Sequence, residues 1–199
     1  MMRGELVTNF IPQPMRLRFP VDDYYKMIDL GILDHSEKAE IIDGELIKKI
    51  TIGNRHAAAV DFLNRFFVKN VSDDILVRVQ NPLRLTEYDE PEPDIVLTDL
   101  TKYDGTRHPR PAETILIVEV SDSTLKYNRD TKMPLYAAVG IPEVWIINLQ
   151  HKVIEVHQQP IVGIYQLAKI FKQGEMVESG VLPDLALEVD SILSQIQVF

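Results

Sequence analysis

Two carboxylates and a lysine stand in a pattern that suits hydrolysis of a phosphodiester. Asp94 follows a proline, and Glu119 comes 25 residues later near the end of the apolar run 115–120. A carboxylate in such a run is costly to bury alone, so Glu119 predicts a nearby cation or hydrogen-bond donor. Two such carboxylates predict a metal site. Lys132 could then supply a cation near the attacking water or the developing charge.

The predicted metal ligands are all oxygen atoms. The carboxylates of Asp94 and Glu119 would be joined by the main-chain carbonyl of Val120 if Glu119 lies near the end of its strand, and such a shell suits Mg²⁺. A simpler interpretation stays open for Asp94, because aspartate after proline often begins a turn. Paired carboxylates could also act on a glycoside, a reaction that needs neither a lysine nor a metal, so metal dependence would separate the two.

The segments around these residues predict a strand, a helix and a second strand. Residues 114–120 form the strongest strand pattern, residues 129–139 have helical spacing, and residues 144–147 form another strand. This order is the crossover of a parallel pair, and its helix packs back against the sheet. The crossover would bring Lys132 towards Glu119.

The start of the crossover helix is ambiguous in the sequence. Either Asn128 or Asp130 could cap it, and Pro134 is tolerated only near the first turn unless it kinks the helix. Elsewhere the patterns predict a helix over 21–30, a hairpin over 39–47 turning at Asp43-Gly44, a helix over 56–68, and strands over 75–79, 83–85, 95–97, 153–157 and 164–171.

Composition bounds the possible functions. The 199 residues, 45% of them hydrophobic, suit one domain over residues 1–199, with an irregular segment over residues 1–20. The absence of cysteine excludes a disulfide framework and thiolate chemistry. No apolar run approaches the roughly 18 residues of a bilayer span, and residues 1–14 lack the apolar core of a secretory signal. We therefore expect a cytoplasmic protein with no membrane partner.

The charge balance opposes strong non-specific binding to DNA. Thirty acidic residues against 21 basic residues give a net charge of −9, whereas nucleic-acid binders usually carry a basic face. The balance does not exclude a metal-dependent enzyme, because a bound divalent cation is often the largest local charge in a site.

The sequence resembles the Uma-two-like family of restriction endonucleases, which is part of the PD-(D/E)XK nuclease superfamily. The resemblance rests on Pro93-Asp94, residues 117–121 (IVEVS), residues 128–136 (NRDTKMPLY) and residues 140–145 (GIPEVW), and it spans about residues 21–171. It implies an α/β (α+β) fold, in which a restriction-endonuclease-like mixed sheet is flanked by helices and preceded by an N-terminal helix and hairpin. It also implies an Asp, Glu and Lys site that binds Mg²⁺ or Mn²⁺.

The resemblance assigns further residues and shows two departures. The wider superfamily has its lysine two residues after the second acid, where this chain has Ser121; in the family the lysine lies on the following helix, at Lys132, with Lys126 as its rival. Asn128 stands where the family often has aspartate, and it keeps a capping oxygen without the charge. An acid before the hairpin and a histidine opening the next helix carry over to Glu40 and His56.

The family pattern suggests roles for these last two residues. Glu40 could bind a second metal, and His56 could contact a phosphate or carry a proton. The sequence therefore predicts a metal-dependent DNA endonuclease, with a homodimer as the simplest way to cut two strands. The alternative is a catalytically inactive binding module of the same fold, which the acidic composition favours.

Overall fold

A six-stranded mixed sheet forms the centre of the fold. The structure is a computed structural model, and it describes residues 16–34, 39–49 and 53–196. In chain order the described elements are α1 (Val21–Asp29), β1 (Ala39–Ile42), β2 (Glu45–Lys48), α2 (Asn54–Asn70), β3 (Ile75–Val79), β4 (Ile95–Asp99), β5 (Thr114–Ser121), α3 (Leu125–Tyr127), α4 (Met133–Ala138), β6 (Glu143–Asn148), β7 (Val153–Ile161), β8 (Ile164–Phe171), β9 (Met176–Glu178), β10 (Ala186–Glu188) and α5 (Val189–Ile196).

The central sheet has the spatial order β3-β4-β5-β6-β7-β8. Strands β5 and β6 form its parallel pair, and the other neighbours are antiparallel. This confirms the predicted crossover, because the helical segment 125–138 lies between β5 and β6 in the chain. The predicted mixed sheet flanked by helices is likewise confirmed.

The two faces of the sheet are covered by different helices. Because side chains alternate along a strand, Leu116, Val118 and Val120 of β5 pack on one face, in a cluster with α2 and α5. Ile117 packs on the other face, in a cluster with Tyr136 of α4. Glu119 has the same parity as Ile117, so it lies on the face that α4 covers. Within the described ranges, none of the helices combines the length and apolar composition needed to cross a bilayer.

The crossover helix begins earlier than the sequence predicted and is not capped as expected. Its helical residues start at Leu125, and Asn128 to Lys132 form a π-helical turn before α4. Asn128 is buried inside this segment, where its Nδ2 donates to Ser121 Oγ at 2.9 Å instead of capping a helix end. Pro134 falls in the first turn of α4, where its missing N–H is tolerated.

The predicted strand over 83–85 is wrong. Residues 83–85 join neither edge of the central sheet, whose outer strands are β3 and β8. The segment instead closes a loop, in which Leu83 N–H donates to Pro91 O at 2.9 Å and Leu85 N–H donates to Asp89 O at 3.0 Å. Its apolar side chains still pack on the α4 face.

The N-terminal elements agree with the sequence patterns. Helix α1 ends before Gly31, which has a φ of 69°. The hairpin of β1 and β2 turns at Asp43 and Gly44, whose φ angles of 53° and 72° are those that an Asp-Gly turn accommodates. Of the predicted irregular start, residues 16–20 form no helix or strand, and residues 1–15 lie outside the described residues.

Candidate active site

Asp94 and Glu119 lie opposite each other at the ends of neighbouring strands. Ile95, the first residue of β4, pairs with Val118 of β5, so the next position along each strand sets Asp94 beside Glu119. The Val120 N–H donates to Asp94 Oδ2 at 2.8 Å. Antiparallel register thus brings together two carboxylates that are 25 positions apart in the sequence.

Lys132 places its ammonium group between two carboxylates. Its Nζ lies 3.1 Å from Glu40 Oε2 and 3.2 Å from Glu119 Oε1, and its side chain is only 6% exposed. Burial opposes the charge, but Glu119 and then Glu40 outweigh burial and raise the pKa of Lys132 above its usual range. The lysine is therefore an ammonium ion at neutral pH.

Glu40 is fixed by three donors. Tyr127 OH donates to Oε1 at 2.8 Å, while the Glu92 N–H donates to Oε2 at 3.1 Å beside the Lys132 ammonium. The side chain is 4% exposed, so it is a buried acceptor and not a solvated strand residue. These contacts hold the carboxylate that positions the lysine.

His56 contacts Asp94 from the first turn of α2. Its Nε2 lies 3.1 Å from Asp94 Oδ2, and its Nδ1 is buried without a hydrogen-bond partner. Burial opposes a charged ring, but the hydrogen bond and charge of Asp94 outweigh it and raise the pKa of His56. Burial would likewise raise the pKa of Asp94, yet His56 and the Val120 N–H lower that pKa below its usual value.

Burial opposes the charged form of Glu119. Burial raises its pKa; Lys132 opposes the rise and the Asp94 charge adds to it, so the pKa of Glu119 stands at about 7. Without a further cation, a large fraction of the protein binds a proton at Glu119 at neutral pH. A raised pKa is expected for one of two neighbouring acids, because like charges at one site disfavour the ionisation of both.

The sequence interpretation missed three members of the site. Tyr136 OH donates to Glu119 Oε1 at 2.6 Å, and Tyr127 holds Glu40. Gln80 Nε2 approaches Asp94 Oδ1 at 3.4 Å, and its backbone N–H donates to Asp94 O at 3.0 Å. Tyr127 and Tyr136 lie one turn either side of Lys132 on the crossover segment, and that spacing could have indicated them. Gln80, after β3, gave no signal.

Lys126, the rival lysine, lies outside the site. Its side chain is 90% exposed and pairs with Asp130, four residues further on. The helical segment therefore directs Lys132 inwards and Lys126 outwards. Trp145 belongs to the core: it is fully buried and donates its indole N–H to Glu143.

The donor atoms fit a hard divalent cation in part. Asp94 and Glu119 offer carboxylate oxygens, and a strand residue directs its N–H and C=O to the same side, so the Val120 carbonyl faces the side where its N–H meets Asp94. Burial, with a smaller contribution from the Asp94 charge, raises the Glu119 pKa, and a bound cation would favour the charged carboxylate. Among the described residues no three His, Asp or Glu side chains form a ready-made shell. Mg²⁺ commonly needs only one or two carboxylates and keeps several waters.

Comparisons with known proteins agree with this architecture. A crystal structure described as a "putative nuclease belonging to DUF820" from Anabaena variabilis ATCC 29413 superposes with a TM-score of 0.70. It has 15% sequence identity, and the match covers 89% of this chain and 99% of that chain, so the likeness shows a shared fold. No protein of curated function matches the chain.

The family comparison covers most of the chain. The model of the Uma2 family, described as "Putative restriction endonuclease", matches residues 21–190. This range contains every site residue described above and extends beyond the span on which the sequence resemblance rested. The chain belongs to the Uma2 family.

Proposed function

We propose that the protein is a divalent-metal-dependent endonuclease that hydrolyses phosphodiester bonds in DNA. The observation that carries the proposal is the buried cluster of Asp94, Glu119 and Lys132, three residues spread over 39 sequence positions that meet at the end of β4 and β5. Family membership supports the same reaction class. The acid and lysine types are those that metal-assisted hydrolysis requires.

Mg²⁺ or Mn²⁺ would be held by the carboxylates of Asp94 and Glu119 and by the Val120 carbonyl. The ion would polarise a phosphoryl oxygen and lower the pKa of a bound water. The His56 and Val120 N–H donors hold Asp94 Oδ2 in place, and Tyr136 holds Glu119 Oε1. The protein thus orients its ligand atoms before the ion arrives.

Lys132 acts as a fixed positive charge in this mechanism. Its raised pKa makes it a poor general base, so we assign it to orienting the attacking water and stabilising the charge that develops on the phosphoryl group. Glu40 positions it through the 3.1 Å contact. Three donors already fill the Glu40 oxygens, so we assign it this positioning role in place of a second metal.

His56 lies beside the ligand carboxylate of Asp94. Its Nε2 contacts Asp94 Oδ2 at 3.1 Å, and the hydrogen bond and charge of Asp94 raise the pKa of the ring above its usual value, against the effect of burial. We propose that His56 offsets part of the negative charge of the acidic cluster and carries a proton during the reaction.

The wild-type protein should nick or linearise plasmid DNA with Mg²⁺ or Mn²⁺ and lose this activity in EDTA. Agarose-gel assays on supercoiled plasmid and on single-stranded DNA measure the effect. Asp94→Asn should weaken metal binding and cleavage together, because it removes a ligand charge. Absence of cleavage on both substrates would favour the alternative, a binding module of the same fold, which the net charge of −9 also suits.

Metal affinity should depend on pH through Glu119. A proton competes with the ion below the Glu119 pKa of about 7, so the apparent Mg²⁺ affinity should fall about tenfold per pH unit below 7 and level off above it. Calorimetry in buffers of different ionisation enthalpy should detect roughly one proton released at pH 6 and roughly a tenth of one at pH 8. Glu119→Gln should abolish this dependence, and an equal wild-type affinity at pH 6 and pH 8 would contradict it.

We propose a homodimer as the active form. Cutting both strands of a duplex is simplest with two sites related by a two-fold axis. Sedimentation velocity should give twice the 22.8 kDa chain mass, and a monomer at micromolar concentration would contradict the proposal.

A further inference from the structure

A second polar region lies on the same face of the sheet as the candidate active site. It is a cleft of about 650 Å³ beside the edge strand β3. Four arginines line it, Arg78, Arg84, Arg107 and Arg110, against two carboxylates, Asp22 and Glu90. This local excess of positive charge contrasts with the net charge of −9 for the whole chain.

Two of the arginines are committed to the protein. Arg84 pairs with Asp22 and lies 3.6 Å from Glu90, and Arg107 forms two contacts with Glu113, at 2.5 and 2.9 Å. These pairs hold the walls of the cleft in place. Among the described residues, the positive charge that no carboxylate pairs with comes from the other two arginines, Arg78 and Arg110.

Arg78 and Arg110 have no such partner. Within the described part of the chain, neither has a carboxylate within ion-pair distance. Arg78 approaches Tyr103 OH only at 3.4 Å, and its Nε is buried without a hydrogen-bond partner. A guanidinium nitrogen that is buried without a partner, as Arg78 Nε is, carries a cost, whereas Arg110 is exposed to solvent. The planar fork of each guanidinium matches the oxygens of a phosphate.

The strand register relates this cleft to the active site. Arg78 pairs across the sheet with Val96, and Val96 pairs with Ile117, so the three side chains share one face. Asp94 and Glu119 come two residues further along β4 and β5, about 7 Å away along the strands. Gln80, two residues after Arg78, already contacts Asp94.

We infer that this arginine cleft binds the phosphate backbone of a nucleic-acid strand that passes through the active site. The inference rests on the proposed function and deepens it, since it names the surface by which an acidic protein holds a polyanion. Arg78 and Arg110 contact the phosphates, and Arg84 and Arg107 keep the walls in place. The contacts carry no base information, so the cleft contributes affinity without sequence preference.

Fluorescence anisotropy of labelled single-stranded and duplex oligonucleotides in EDTA tests the inference without turnover. The double variant R78Q/R110Q should bind at least about tenfold more weakly than wild type at 100 mM salt, and the slope of log affinity against log salt should fall by about 1 to 2. Arg65→Gln is the matched control, because Arg65 is an exposed arginine on α2, which packs on the opposite face. It should bind as wild type.

Three results would overturn the inference. The first is unchanged binding by R78Q/R110Q, and the second is an equal loss of binding in Arg65→Gln. The third is displacement of the oligonucleotide by inorganic phosphate at a concentration equal to that of the oligonucleotide phosphates, which would indicate a site for a free anion. The single variant Arg110→Gln guards against misfolding, because the Arg110 side chain is exposed and its backbone N–H and C=O make the hydrogen bonds to Glu113. It should show a smaller loss in the same direction.

The binding assay and the cleavage assay test the two proposals separately. Weaker binding by R78Q/R110Q with no cleavage from any form would contradict the nuclease activity and support nucleic-acid binding in the cleft. Cleavage by wild type with unchanged binding by the double variant would support the nuclease activity and contradict binding in the cleft.

Discussion

Glu119→Gln should reduce DNA cleavage by about a thousandfold or more while leaving the fold intact. The change removes the ligand charge but keeps an oxygen that Tyr136 OH and Lys132 can still contact, since both now meet Glu119 Oε1. Metal affinity should fall with activity, because a neutral amide is a poor ligand for Mg²⁺. Initial rates on supercoiled plasmid at pH 8, with Mg²⁺ affinity by calorimetry, measure both effects.

Glu143→Gln provides the matched control. Glu143 is an equally buried carboxylate on the neighbouring strand β6, but it faces the opposite side of the sheet and accepts from Trp145, Gln158 and the Gly180 N–H. This variant should retain cleavage if it remains folded by circular dichroism. Persistent activity in Glu119→Gln would mean that cleavage occurs at another site or comes from a contaminating nuclease.

Lys132→Met should lower the rate of cleavage by about a hundredfold or more with little loss of metal affinity. The methionine keeps much of the chain length and removes the charge that we assign to the attacking water and the phosphoryl group. Single-turnover rates at saturating Mg²⁺ separate this effect from weaker metal binding. A proportional loss of metal affinity would mean that Lys132 supports the ligands and not the reaction.

The same substitution should destabilise the metal-free protein. It leaves the Glu40 and Glu119 carboxylates buried without their shared cation, and removing one partner of a buried ion pair costs about 3–5 kcal/mol. Added Mg²⁺ should raise the melting temperatures of Lys132→Met and wild type by similar amounts, because this stabilisation depends on the metal affinity, which the change leaves nearly the same. If the methionine variant does not fold, Lys132→Arg replaces it in the test, because it keeps the charge and is expected to remain folded.

Lys126→Met is the control for both effects. Lys126 lies on the same helical segment, but its side chain is 90% exposed and contacts only Asp130 among the described residues. Exposed pairs of this kind contribute little to stability, because solvent screens them. Cleavage and melting temperature should therefore match wild type, and a loss equal to that of Lys132→Met would make Lys126 the functional lysine.

The position of Lys132 suggests why the metal-free site is stable. Its ammonium group already lies between two carboxylates, where it offsets part of the charge that a metal would offset on binding. Burial still keeps the pKa of Glu119 raised to about 7, and the Asp94 charge adds to the rise. In the proposal, a bound cation would favour the charged form of this carboxylate.

Local sequence patterns were sufficient for most of the elements. The apolar, β-branched run over residues 114–120 predicts a strand, and the Asp43-Gly44 pair predicts the hairpin; both are found. Strand β5 and the helical segment after it also predict the parallel crossover. These features depend on side-chain period and turn chemistry over a few residues, which the chain expresses without reference to distant segments.

Patterns failed where tertiary contacts override local preference. Asn128 has the chemistry of a helix cap, but it is buried against Ser121. Residues 83–85 have the composition of a strand, but the N–H groups of Leu83 and Leu85 donate within a loop, to the Pro91 and Asp89 carbonyls. Strands β9 and β10 and helix α5 were not predicted, because elements of three to eight residues give weak periodic signals.

The types of the candidate site residues could be read from the chain, but their partners could not. Glu40 and Lys132 are 92 positions apart and form a buried contact of 3.1 Å. Gln80 reaches Asp94 only because β3 pairs with β4. Such contacts depend on the pairing of distant strands, and the same pairing sets which charges share a buried space. The Glu119 pKa of about 7 is therefore a property of the folded sheet and its covering helix, since burial and neighbouring charges, both absent from the unfolded chain, produce it.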